Sequence, residues 1–132
     1  MIKVNKQARC VLAKLTHGLE EPGDHKEFDN SPGAFMAVHV ENIGECNMGK
    51  LFSIAHYYEQ NGDLMKNPDM VFIKGQDGEF YPMEFQQDNI GMYQQAVEID
   101  FEKVKGFRPA LQKKLAVFAG KWMRNIKMQQ KL

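Results

Sequence analysis

A chain of 132 residues, 43% hydrophobic and 26% charged, suffices for one domain spanning residues 1–132, which removes roughly 65–70% of its unfolded surface from water. That composition excludes a disordered or fibrous protein. The formal net charge of zero hides a lopsided layout, with all seventeen acidic residues between Glu20 and Glu102 against four lysines there, and nine basic residues with no acid over 103–132.

Cys10 and Cys46 lie far apart without CxxC spacing, so they read as thiols of a reducing compartment rather than as a disulfide framework. No run reaches the ~18 apolar residues of a membrane span, and Met1–Gln7 opens no signal-like apolar stretch. A cytoplasmic protein is expected.

In chain order, Val4, Ala8, Val11, Leu12, Leu15 and Leu19 recur at the 3.6 period and predict a helix over 3–19, with Asn5 as its cap. Residues 20–33 hold Pro22-Gly23 and Pro32-Gly33 without periodicity and predict a loop. Residues 34–42 alternate and predict a strand. After a connection over 43–49, a second strand is expected over 50–59, placing Phe52, Ile54, His56 and Tyr58 opposite Leu51, Ser53, Ala55 and Tyr57. A turn at Asn61-Gly62 and the loop after it lead to a third strand over 69–74, and Asp77-Gly78 makes a hairpin turn to a fourth over 79–86, where Pro82 signals an edge or a bulge. Residues 88–94 read as a loop or a single helical turn. In 96–102, Val97, Ile99 and Phe101 alternate with Glu98, Asp100 and Glu102, which predicts a fifth strand with an acidic outer face. Pro109 suits the first position of a long final helix, whose stripe of Leu111, Leu115, Phe118, Trp122 and Ile126 faces the sheet while lysines face away. The fold class is therefore α+β: an antiparallel sheet of four to five strands, with both helices packed on one face.

The run His56-Tyr-Tyr-Glu-Gln-Asn-Gly-Asp63, then Leu64-Met65, Pro68-Asp-Met70, Tyr81-Pro82, Gln87-Asp88, Gly91-Met-Tyr93-Gln94 and Phe118-Ala-Gly-Lys-Trp122-Met-Arg-Asn125 resemble a domain-of-unknown-function family of bacterial mobile elements, prophages and conjugative plasmids. The likeness runs from about residue 50 to the C-terminus, and its most specific part is residues 56–63. It implies a genomic setting rather than a mechanism. Small proteins of such elements counter host defence, regulate transfer or assist DNA processing.

Three chemistries can be weighed on the residues. Asp69 after Pro68, followed by a hairpin and Glu84-Phe85-Gln86, has the order of a metal-dependent nuclease in which two carboxylates share a divalent ion; the lysine and third ligand of such a site are unassigned. His56 with Glu59 and Asp63 has the makings of a proton shuttle, but no nucleophile motif accompanies it, so a packed histidine outweighs that reading. The four histidines lack zinc spacing, no phosphate loop is present, and no cofactor is expected. Lys113, Lys121, Arg124 and Lys127 on the last helix would track phosphates if nucleic acid is the partner. The reading that follows best is a non-enzymatic protein that binds another protein, with Tyr57, Tyr58, Glu59, Asp63, Glu98, Asp100 and Glu102 forming an aromatic anchor inside a charged rim.

Overall fold

The computed structural model describes residues 1–132. Helix α1 covers Lys6–Thr16, shorter than its apolar period suggests. Its start is set by Asn5, whose side chain accepts the Ala8 N–H at 2.8 Å and satisfies one of the helix's free donors. Eight strands follow: β1 His25–Phe28, β2 Val38–Cys46, β3 Gly49–Gln60, β4 Asp63–Gly75, β5 Phe80–Gln87, β6 Met92–Gln95, β7 Val97–Asp100 and β8 Lys103–Phe107. Helix α2, Pro109–Gln129, ends the fold with Pro109 in its first turn. Strands β1 to β6 form one antiparallel meander in chain order, and β7 pairs only with β8.

The α+β class and the two helices on one sheet face agree with the sequence pattern, but the sheet differs in five places, one of them at Met92–Gln95, where a loop or helical turn is expected over 88–94 and the edge strand β6 instead pairs with β5. Residues 25–28, expected in a loop, form the short edge strand β1 against Val38–Glu41. The next strand starts at Val38 rather than 34 and runs on through Ile43-Gly44 to Cys46, with a register shift between Asn42 and Gly44 absorbing the glycine. Strand β4 begins at Asp63 rather than at 69, directly after the two-residue Asn61-Gly62 turn. Residues 97–100 form no fifth strand of the meander, because the chain leaves the sheet after β6 and folds back as a separate β7–β8 hairpin. The register shift between Val71 and Phe72 falls opposite Pro82, as a proline without a ladder donor requires.

The main core lies between the helices and the meander. Phe52, Ile54, Met70, Phe72, Phe80 and Phe85 project from the strands to meet Leu12, Leu15, Leu115, Trp122, Met123 and Ile126, all buried. Helices α1 and α2 approach closely where Asn5 meets Gly120; a Cβ at position 120 would lie 2.7 Å from the Asn5 amide nitrogen. Gln112 is fully buried and works as a staple: it accepts the Ile2 N–H at 2.7 Å and donates to the Pro82 carbonyl at 3.0 Å. At the other end of α2, buried Gln130 accepts the Asn30 N–H at 2.8 Å and donates to the Met36 carbonyl at 3.2 Å, pinning the β1–β2 connection. A smaller core of Val71, Ile73, Met83 and Val97 lies on the opposite sheet face beneath the β7–β8 hairpin.

Candidate functional site

Strand alternation gives the meander a second face that divides into two halves. One half is apolar and roofed by β7–β8, whose Val97, Ile99 and Val104 point down onto Val71, Ile73 and Leu51. The other half is an open, polar cleft of about 280 Å³, lined by Glu41, Ser53, Tyr57, Lys66, Asp69, Glu84 and Gln86.

The cleft floor is a hydrogen-bonded network. Asp69 is buried, accepts the Ser53 hydroxyl at 2.8 Å and has Lys66 Nζ at 3.5 Å. Lys66 Nζ also lies 3.4 Å from Gln86 Oε1, and its backbone N–H donates to Asp88 at 2.7 Å. That backbone bond, then the one donated by the Gln86 amide, holds the Asp88 carboxyl below its ordinary range. Burial, then the charges of Asp69 and Glu41, pushes the Tyr57 hydroxyl up. The His39 ring meets Tyr57 edge-on at 5.1 Å. Asp69 and Glu84 do share this cleft, and Lys66 and Gln86 stand beside them, but no group of three or more His, Cys, Asp or Glu side chains is arranged to hold a metal ion.

The roof is a different kind of surface. Its turn residues, Phe101 and Glu102, both have positive φ, 49° and 64°, a conformation that bulky L-residues adopt at a cost. The turn is held by Asn47 from the β2–β3 turn: the Asn47 N–H donates to the Glu102 carbonyl at 2.7 Å, and the Asn47 side-chain oxygen accepts the Val104 N–H at 2.9 Å. The sequence alternation places Phe101 inward with Val97 and Ile99. Instead the two-residue turn carries it outward, and it is 90% exposed. Glu98, Asp100 and Glu102 are exposed on the same hairpin, as are Lys103, which pairs across from Asp100, and Lys105.

The residues expected to form one docking surface therefore separate. Tyr57 lines the polar cleft, whereas Tyr58, its strand neighbour, is half-buried on the opposite face of the sheet. Glu59 and Asp63 are exposed at the far tip of the β3–β4 hairpin. Glu102 contacts Asn47, next to the other end of β3, so it lies a strand length from Asp63, roughly 35 Å at ~3.3 Å per residue. His56 points into the main core: its Nδ1 lies 3.0 Å from the Ala37 carbonyl and its ring meets Trp122 edge-on at 5.5 Å. Burial holds its pKa below the ordinary value. That is the packed histidine the sequence favoured. Lys113, Lys121, Arg124 and Lys127 are exposed on the outer side of α2.

Sequence reasoning missed Phe101 and Asn47. The available signal was Lys103-Val-Lys-Gly-Phe107, which alternates and follows Val97–Asp100 after two residues; it lacked only the Asn or Gly that ordinarily announces a tight hairpin. A family model described as a domain of unknown function (DUF6908) matches residues 7–132. No curated protein and no solved structure matches the chain.

Proposed function

We propose, from the premise that this chain belongs to the DUF6908 family, that it is a non-enzymatic interaction protein that docks on another protein through the tip of the β7–β8 hairpin. One observation carries the reading: a phenylalanine 90% exposed on a turn whose backbone opposes it, held in place by Asn47 and flanked in the chain by exposed Asp100 and Glu102. Strain retained at an exposed position is found where function requires the geometry. A rigid aromatic supplies contact area at little entropic cost, and a charged rim steers approach and sets orientation. The partner surface that fits is an apolar pocket with a charged border, basic where it meets Glu98, Asp100 and Glu102. Taken with the resemblance carried by His56–Asp63, the setting is a phage or mobile genetic element, and the partner a host defence protein (CRISPR-type or restriction) or a DNA-processing protein.

The test is a photoreactive phenylalanine analogue at position 101 of the intact protein, cross-linked in the native host, with the same analogue at exposed Val117 as control. A discrete adduct from 101 and not from 117 is expected. Against the partner so identified, Phe101→Ala should weaken binding by at least about 30-fold, a loss of about 2 kcal/mol typical of an interface anchor. Replacing Glu98, Asp100 and Glu102 by lysine should slow association and flatten its salt dependence. Identical adducts from both positions, or unchanged affinity in Phe101→Ala, would sink the reading.

A second reading, a metal-dependent nuclease or nucleic-acid-processing accessory centred on Asp69 and Glu84, draws support from the cleft these two share with Lys66 and Gln86. On that reading Mn2+ or Mg2+ binds with a titratable stoichiometry and Asp69→Asn abolishes cleavage of plasmid DNA. The contact of Lys66 with Asp69 at 3.5 Å weighs against it, since that ammonium occupies a position where an ion would have to bind.

A further inference from the structure

Folding turns the charge asymmetry of the chain into an asymmetry between layers. The four ion pairs of the molecule use Lys3, Arg9, Lys50 and Lys66, and none uses any of the nine cations of residues 103–132. Lys113, Lys114, Lys121, Arg124 and Lys127 are all exposed on α2, and at ~100° per residue they fall within an arc of about 140° on its outer side. Lys6 is exposed at the start of α1, next to the Asn5 that packs on Gly120, so it joins the same layer. No carboxylate interrupts α2. An ordinary solvated helix face mixes both signs, because pairs four residues apart stabilise it and like charges repel; this one accepts the repulsion along its length.

We propose that the outer face of the helix layer binds the phosphate backbone of a double-stranded nucleic acid, independently of sequence. Helix α2 has 21 residues and is therefore about 31 Å long at ~1.5 Å per residue, a rod long enough to lie along a duplex backbone. The large apolar side chains exposed on it are Val117 and Met128, too few to insert into a lipid surface, which takes a continuous apolar face that α2 has already buried in the core. No aromatic ring is exposed among its cations to stack unpaired bases, as binding of single strands ordinarily uses. Flexible lysines fit phosphate contact rather than base readout.

The test measures binding of a fluorescein-labelled 20-bp DNA duplex and a 20-bp RNA duplex by anisotropy from 50 to 200 mM salt. With about four phosphates neutralised, log K should fall with log salt at a slope near −3.6 for DNA, an affinity loss of about 100-fold over that range. Exchanging Lys113, Lys121 and Arg124 together for glutamine, which keeps helix propensity, should reduce the slope by about 2.7 while circular dichroism stays unchanged. Binding to either duplex supports the proposal, and the ratio of the two identifies the source of the phosphates. No binding to either duplex at 50 mM salt overturns it, as does a slope unaltered in the triple variant. Preferential binding to vesicles containing phosphatidylserine, or self-association that disappears with salt in sedimentation, overturns it in favour of a lipid surface or a second copy. Phe101→Ala should leave duplex binding intact, so this proposal and hairpin docking fail separately.

Discussion

Two of the solvent-facing hairpin tips of this molecule share positive φ at both turn residues and differ in chemistry. At the β3–β4 tip, Asn61 and Gly62 sit at φ 53° and 84°; at the β7–β8 tip, Phe101 and Glu102 sit at 49° and 64°. Asn-Gly occupies this conformation readily, so the first turn closes on local preference. Phe-Glu does not, and the second turn closes because tertiary contacts from Asn47 and the small core beneath Val97 and Ile99 impose it. One tip is thus a folding device, and the other is a shape maintained against local preference.

The comparison breaks first at the cores that anchor the two hairpins. On β3, His56 packs against Trp122, and Trp122→Ala should cost about 3–5 kcal/mol. The indole N–H of Trp122 is buried without a partner, so Trp122→Phe forfeits no hydrogen bond and should cost far less, about 1 kcal/mol. On β7, Val97→Ala removes two buried methyl groups and should cost about 2 kcal/mol. Urea unfolding measures all three. A Trp122→Ala loss below about 1 kcal/mol would mean that the sheet does not depend on the helix layer.

Exchanging the tips sharpens the contrast at the next scale. Phe101→Asn with Glu102→Gly should stabilise the domain by about 1–2 kcal/mol, because the turn no longer opposes its residues; a rise in Tm of about 3–8 °C should report it. The same variant should lose partner docking. Asn61→Phe with Gly62→Glu should destabilise by a similar amount. If the first exchange lowers stability, Phe101 contributes to folding and its exposure is incidental.

What the sequence made legible follows the same division. Wherever local preference and tertiary structure agree, the element was readable: the Asn5 cap, the Asp77-Gly78 turn, Pro109 at the start of α2 and the stripe through Trp122. Where they disagree, it was not. Val97-Glu-Ile-Asp100 alternates correctly but carries no information on which sheet it joins, and a two-residue turn without Asn or Gly hid the reversal that sends Phe101 outward. Strand β1 was hidden because four residues between breakers are too few for periodicity, and its place is set by the pairing partner Val38–Glu41. The polar cleft was half legible: Asp69, Glu84 and Gln86 could be named, but Lys66 and Ser53 came to them only through strand register.

The smallest expected effect separates the hairpins by pH. Strand β3 carries a buried imidazole, His56, whereas β7 and β8 contain no histidine. Burial is the main cause that holds the His56 pKa below its ordinary value of 6.5; the Ala37 carbonyl opposes that shift and His39 adds to it. The folded state therefore prefers neutral imidazole, and the unfolded chain takes up a proton first as pH falls. The stabilising contribution is complete above about pH 6.5 and is lost as pH falls toward and through the lower folded value, with a slope that cannot exceed about 1.4 kcal/mol per pH unit. The carboxylates with lowered values, Glu20, Asp77 and Asp88, titrate below about pH 4.5 and leave this window clear. Urea midpoints measured from pH 7.5 to 5.0 should fall for the native protein and fall less for His56→Gln, which retains an amide donor for the Ala37 carbonyl. Parallel curves for the two proteins would place the acid sensitivity elsewhere and remove this distinction between the hairpins.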